Sequence, residues 1–576
     1  MSQVDLVFRG GMVVDGTGAA PRRADVAVSE GLIVAVGEVS ARGREEVDAT
    51  GLMVAPGWVD IHTHYDGQAT WEERLMPSSN LGATTVVFGN CGVGFAPVRP
   101  QDRDRLVVLM EGIEDIPGTA LHLGLDWRWE SFEQYLDVLA AMPHDIDIAA
   151  YIPHGALRVY VMGDRGARGE PATPEDIRRM AEHVRSGLLA GAVGFSSSRT
   201  LVHRSSAGDP TPSVRAERDE LLAIAHVMRE LDRGAFQFAS DFTDLDAEFG
   251  LFRDLARVSG RPLSFAMTQT SGDPDKWRKQ LALIDQARSE GVQISAQIAV
   301  RPIGLMLGLQ GTYHPYNGRP SYEEIAHLPL AERAQAMRQP ARRARILAEP
   351  GPRGTFFLDA VASGQDNVYE LGVPPIYDPA PEESIGARAR AAGVTPDELI
   401  FDILTANGGT NFLYLPLVNY ADGNLDAVFE MLNHPYTINS LSDGGAHVGM
   451  ICDASTPTYM LSYWARDRKG PRLDVGAAVR RQTRDTAWAL GLRDRGVIAP
   501  GFRADINLID FDRLQLGPPV MVHDLPGGAR RLNQEASGYV ATYVAGQPIF
   551  RNGLPTGALP GTLVRGETVS RQLNDA

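Results

Sequence analysis

Cysteine and lysine are the scarce residues of this 576-residue chain. Cys91 and Cys452 are its only cysteines, which excludes a disulfide framework and suits a reducing compartment. Lysine stands at three positions, Lys276, Lys279 and Lys469, so nearly all the positive charge is arginine. No run of about 18 apolar residues occurs, and the opening MSQVDLVFRGG lacks a basic stretch followed by an apolar core. The expectation is a soluble, cytoplasmic protein without a membrane partner. Runs of Lys and Arg are missing too, and the formal charge is −17, which argues against a nucleic-acid or anionic-lipid surface and for a small-molecule ligand. The sequence leaves the oligomeric state open, a homo-oligomer included.

What is present is ordinary globular material. With 44 % hydrophobic and 22 % charged residues, disorder is excluded as the main state and a sizeable core is within reach. Residues 6–54 alternate in short stretches punctuated by Gly-Gly, Asp-Gly and Glu-Gly, and the same texture returns in ADINLIDFDRL and VATYVAGQPIFRNG. Between these ends, eight apolar runs alternate with helical patterns: WVDIHTH, TTVVFGNCG, IDIAAYIPHG, AVGFSSS, AFQFASD, PLSFAMTQ, VQISAQIAV and YTINSLSDGG. Continuous apolar strands separated by helices predict a (β/α)8 TIM-type barrel over 57–496, because both faces of such strands are covered. A small β-sandwich domain is expected from both chain ends, 1–56 and 497–576. Two insertions interrupt the barrel, at about 101–145 and 301–399. Loops of that length are usually lids or binding elements, and the first carries Trp127, Trp129, Phe132 and Tyr135, which are equally readable as plain packing.

The chemistry gathers at predicted strand ends. In DIHTH the side chains of His62 and His64 lie two residues apart on a strand and face one side, so two imidazoles converge on a metal at the barrel mouth. Asp443, in SDGGAH after the eighth strand, is placed to complete the coordination and to act as general base, with the Gly pair leaving room for substrate. Alone, it would read as an Asx-turn. Cys91, in GNCGVGF after the second strand, offers a thiolate between glycines. Cys452 has no such company.

Together these motifs resemble the amidohydrolase superfamily and, within it, the N-acyl-D-amino-acid deacylases. PGWVDIHTH, GNCGVGFAPVRP, SDGGAH and the GFRADIN tail carry the likeness, and the cysteine ligand after the second strand is its sharpest mark. The resemblance implies hydrolysis of an N-acyl-D-amino acid by metal-activated water, releasing the free D-amino acid. It assigns His62, His64, Cys91 and Asp443 as metal ligands, with Asp443 also the base. The family's histidines at the fifth and sixth strand ends are missing: Ser240 and Asp241, then Thr268 and Gln269, stand there. No lysine follows the fourth strand to bridge a second ion. One zinc ion is therefore expected on His62, His64, Asp443 and Cys91, with Asp241 a weaker ligand and a second ion left open.

His154 in IPHGALR is a candidate for orienting substrate or bonding its carbonyl, and His203, after the fourth strand, for replacing a lost imidazole; a structural role is the plainer alternative for each. His314 ranks below them. A substrate carboxylate calls for a guanidinium, and Arg158, Arg199 and Arg301 lie near strand ends. Cyclic amides, lactones or other esters are the alternative substrates, and a non-catalytic scaffold is the least favoured reading.

Overall fold

The computed structural model describes residues 3–351 and 353–566. Five N-terminal strands come first: β1 (Gln3–Val13), β2 (Arg22–Ser29), β3 (Leu32–Gly37), β4 (Arg42–Asp48) and β5 (Met53–Pro56). They join Ile506–Ile509, Tyr539–Val544, Gln547–Arg551 and Leu554–Pro555 in one nine-stranded sheet, so both chain ends build the β-rich domain. The join is the antiparallel pairing of β5 with Ile506–Ile509. Leu6, Phe8, Val26 and Ile33 from one end share a core with Ile506, Leu508 and Tyr543 from the other. Gly10, at φ +66°, lies where β1 slips register against β2 and exchanges β4 for β5 as its other neighbour, a bend that glycine adopts without strain.

The barrel strands are β6 (Trp58–Asp60), β7 (Ala83–Phe88), β8 (Asp147–Pro153), β9 (Gly194–Arg199), β10 (Ala235–Ser240), β11 (Leu263–Ala266) and β12 (Ile294–Ile298), and Thr437–Asn439 is the eighth. Each lies within one of the eight apolar runs to within one residue at either end, and they pair in parallel in chain order. The helix Pro174–Ala190 shows how sharply local signals act: Thr173 caps its N-terminus in a capping box with Asp176, and Gly191 ends it in the left-handed region.

The insertions are built differently. The first holds α1 (Arg103–Glu114), α2 (Gly118–Gly124) and α3 (Phe132–Ala141), whose buried side chains merge into the barrel's core. The second stands on an antiparallel stem, Ile303–Leu307 with Leu413–Val418, so it runs past the expected end at Leu399. It has its own core around Leu305, Tyr316, Ile346, Phe401 and Leu413. At the C-terminal end, Gly561 and Leu563 leave the β-rich domain and bridge to His144, at the end of the first insertion, and to Ile148 of β8. The expected second half of the small domain is thus partly barrel, and its residues 567–576 lie outside the described residues.

Candidate metal centre

The barrel closes at its first and eighth strands through the candidate ligands themselves. Thr63 bridges Gly444, the His64 amide donates to the Gly444 carbonyl at 2.8 Å, and the Asp443 amide donates to the His62 carbonyl at 3.2 Å. The ladder that shuts the barrel therefore sets HTH against DGG. Asp443 and His447 sit at φ +48° and +51°, in the left-handed region that non-glycine residues rarely enter. The Gly pair expected to leave room for substrate is used up by packing. A Cβ on Gly444 would meet Ser78 Oγ at 2.5 Å, and one on Gly445 would meet Tyr65 Cδ1 at 2.9 Å.

Four donor atoms converge on this seam. His62 Nε2 lies 3.3 Å from Cys91 Sγ and 3.5 Å from Asp443 Oδ1, and His64 Nε2 lies 3.7 Å from the same oxygen. Among the described residues, His62, His64 and Cys91 are the one group of three or more His, Cys, Asp or Glu whose ligand atoms all lie within 4.8 Å of each other. Cys91 stands at φ +54°, held by its amide donating to Gln237 Oε1 of β10 at 2.8 Å. The next residue has to be glycine, because a Cβ on Gly92 would sit 2.9 Å from Ser197 Cα. His62 Nδ1 meets Gln297 Oε1 of β12 at 2.7 Å, and Gln297 is held in turn by Ser264 at 2.9 Å. An amide oxygen only accepts, so His62 carries its proton on Nδ1 and turns a lone pair on Nε2 toward the cluster.

The electrostatics suit a cation. Burial pushes Asp443 up to about 7, with Asp453 adding to it, and drives His62 down to about 4 against the Gln297 bond. Burial also raises Glu114 and Cys91 well above their ordinary ranges. The charges reinforcing this are carboxylates: Asp443 and Asp66 act on Glu114, and Glu114, Asp443 and Asp66 on Cys91. His64 Nδ1, Asp66 Oδ2, both Glu114 carboxylate oxygens and His447 Nδ1 are buried without a hydrogen-bond partner. Packed acids that repel one another beside neutral imidazoles are costly by themselves and are relieved by a divalent ion. Nitrogen, sulfur and oxygen donors together fit zinc.

Other candidates are placed elsewhere. His154 is fully buried, with Nδ1 2.9 Å from Ser197 Oγ and Nε2 2.7 Å from Glu220 Oε1, and Arg158 pairs with the other oxygen of Glu220. Neither reaches the cluster: the single buried carboxylate of Glu220 holds both. Arg301 pairs with Asp453 at 2.9 Å and lies 3.7 Å over the Tyr377 ring, and Arg199 pairs with Glu248. The expected free guanidinium is therefore not supplied by these arginines. Asp241 accepts from Thr200 and the Leu201 amide, Gln269 donates to Asp422, and His314 bonds Tyr322 in the second insertion. His203 bonds Ser198 Oγ at 3.0 Å and lies near enough to His64 and His447 to depress their basicity further, after burial. The aromatic residues of the first insertion are packing: Trp129 donates to the Phe95 carbonyl at 2.8 Å and Tyr135 to that of Asp66 at 2.7 Å.

Two site residues escaped the sequence reading. Glu114, the last residue of α1, is 1 % exposed and places Oε1 3.4 Å from His64 Nδ1 and Oε2 3.5 Å from His447 Nε2. Its signal was available: Leu106, Met110 and Glu114 lie four apart on the helix face that is buried, so a charge interrupts an apolar stripe. His447 closes the SDGGAH motif, from which the sequence reading draws only Asp443 as a candidate.

The chain as a whole is similar to known proteins. The chain is 26 % identical to the D-aminoacylase of Alcaligenes xylosoxydans xylosoxydans over 97 % of each chain. It is 25 % identical to the N-acyl-D-aspartate deacylase of the same organism, over 97 % of this chain and 94 % of that one. Its fold is that of the N-acyl-D-glutamate deacylase of Bordetella bronchiseptica, solved with zinc and a phosphonate inhibitor: TM-score 0.64, 23 % identity, 98 % of this chain and 100 % of that one. The sequence pattern of the Amidohydrolase family matches residues 45–550, and the chain belongs to that family.

Proposed function

We propose that this amidohydrolase is a metal-dependent deacylase that hydrolyses the amide bond of an N-acyl-D-amino acid, with one zinc ion held by His62, His64, Cys91 and Asp443. The observation that carries the reading is the convergence of two imidazole Nε2 atoms, a thiol and a carboxylate at the barrel seam. The substrate class rests on relatives named for it that align along almost the whole chain. The ion, when bound, supplies Lewis-acid polarisation of the scissile carbonyl and lowers the pKa of a neighbouring water. The chain does the rest. Asp443 takes the proton that the attacking water loses and returns it to the departing nitrogen, giving carboxylate and amine. Gln297 keeps the Nε2 lone pair of His62 available, and Gln237 holds Cys91 in its unusual backbone conformation. His203 supplies a further imidazole at the rim.

The test is amine release from a panel of N-acyl D- and L-amino acids by zinc-loaded protein. Turnover of the D series is expected, with Asp443→Asn lowering the rate by about 10²- to 10⁴-fold. Silence across the panel from protein holding one equivalent of zinc would move the reading to cyclic amides, lactones or other esters. Well under one equivalent, with no gain on adding zinc, would end it.

A further inference from the structure

We infer that Glu114, carried in by the first insertion, is the positioning residue of this centre: its carboxylate accepts the Nδ1–H of His64 and so turns the His64 Nε2 lone pair toward the cation. The inference rests on the metal reading above. It starts from where Glu114 stands. A carboxylate at the last residue of a helix meets the negative end of the helix dipole, and this one is also stripped of water. Neither oxygen has a hydrogen-bond partner; the imidazoles approach at 3.4 Å (His64 Nδ1) and 3.5 Å (His447 Nε2), close enough to donate once they are oriented by a cation. Its neighbours are two imidazoles, His64 on the first strand end and His447 in the loop after the eighth. So costly a placement is offset when those rings donate to it, and a ring whose other nitrogen binds a cation is the stronger donor.

The same arrangement serves its partner histidine. His62 Nδ1 faces Gln297 and His64 Nδ1 faces Glu114, while both Nε2 atoms approach Asp443 Oδ1. One ring has a neutral acceptor and the other an anionic one, so Glu114 adds negative charge to a centre otherwise supplied by Cys91 and Asp443. Its position is built rather than incidental. The Glu114 carbonyl accepts from the His447 amide, and the adjacent Asp115, at φ +50°, accepts from Thr312 Oγ1 and from the Gly449 amide at 3.0 Å. Two tethers, from the His447 and Gly449 amides, thus fasten the end of α1 to the loop that follows Asp443, and a third, from Thr312, fastens it to the second insertion.

The experiment measures Zn²⁺ affinity by chelator competition and the Co²⁺ absorption spectrum for the native chain, Glu114→Gln, Glu114→Ala and, as a charge control on the same helix, the exposed Asp104→Asn. Expected are affinity losses of about 10-fold for the glutamine and about 100-fold for the alanine variant, none for the control, and an altered Co²⁺ spectrum in the alanine variant. Thermal unfolding of the metal-free proteins separates positioning from mere support: Glu114→Gln, which removes an unpaired buried charge, should keep or raise the apo midpoint. Unchanged affinity in both Glu114 variants would overturn the inference, as would an apo midpoint that falls in step with affinity. A native chain that binds no Zn²⁺ would instead remove the metal reading itself.

Discussion

The two insertions into the barrel are of similar helical make-up, yet they stand in opposite relation to the site. The first has no core of its own: Leu106, Met110, Trp129, Phe132 and Tyr135 are continuous with the barrel interior, and its first helix ends on Glu114 between the imidazoles of His64 and His447. The second builds a separate core on an antiparallel stem, shared only with Met450 and Ile451 of the loop after the eighth strand, and contributes none of the clustered donors. A segment that shares the core shares the geometry of the site. A segment with a largely separate core is tied to the site through peripheral contacts, such as Thr312 on Asp115 and Met450 and Ile451 packed into that core.

Paired truncations test that contrast most severely. Met110→Ala and Phe401→Ala each remove a fully buried side chain and should cost about 2–5 and about 3–5 kcal/mol by denaturant titration. Only the first should also weaken Zn²⁺ binding, and equal effects on binding would erase the distinction. Buried ion pairs come next. Arg158→Ala, on the barrel side, strands Glu220 and should lower stability by about 3–5 kcal/mol without a selective rise in KM for carboxylate-bearing substrates. Arg319→Ala, which strands Asp397 in the second insertion, should leave kcat and KM untouched.

A smaller effect sharpens the link between the first insertion and the centre. Tyr135→Phe removes the donor to the Asp66 carbonyl and should cost about 1 kcal/mol, with a measurable loss of Zn²⁺ affinity because Asp66 belongs to the same acidic group. The smallest is a pH slope. Burial, then the charges of Arg158 and Arg199, holds His154 below its ordinary range despite Glu220; Glu220 is itself held low by His154 and Arg158 against burial. Both folded values lie below the unfolded ones, so the folded state binds fewer protons, and stability is full above about pH 6.5 and declines as acid titrates first His154 and then Glu220. Glu220→Gln should flatten the lower part of that decline in a melting series, and an unchanged slope would refute the assignment.

Much of this was legible in the chain. All eight barrel strands could be found because a parallel strand covered on both faces reads as an unbroken apolar run, and His62 and His64 share a side because strand side chains alternate. What misled was the weight given to proximity. Arg158, Arg301 and His154 do lie near strand ends, but Glu220 and Asp453, distant in sequence, already hold them. The aromatic run of the first insertion drew attention to a lid, while the informative residue was a glutamate on the apolar face of the preceding helix.

By itself, the sequence determined the barrel strands and the β-rich ends, and it picked out His62, His64, Cys91 and Asp443 as candidates, because each depends on local period or on a motif only a few residues long. Tertiary structure alone decided which charges are spent and which remain. Glu114 meets His64 and His447 across 50 and 333 positions of chain, and an encounter of that kind is set by how helices pack on the closed barrel, which no local pattern encodes.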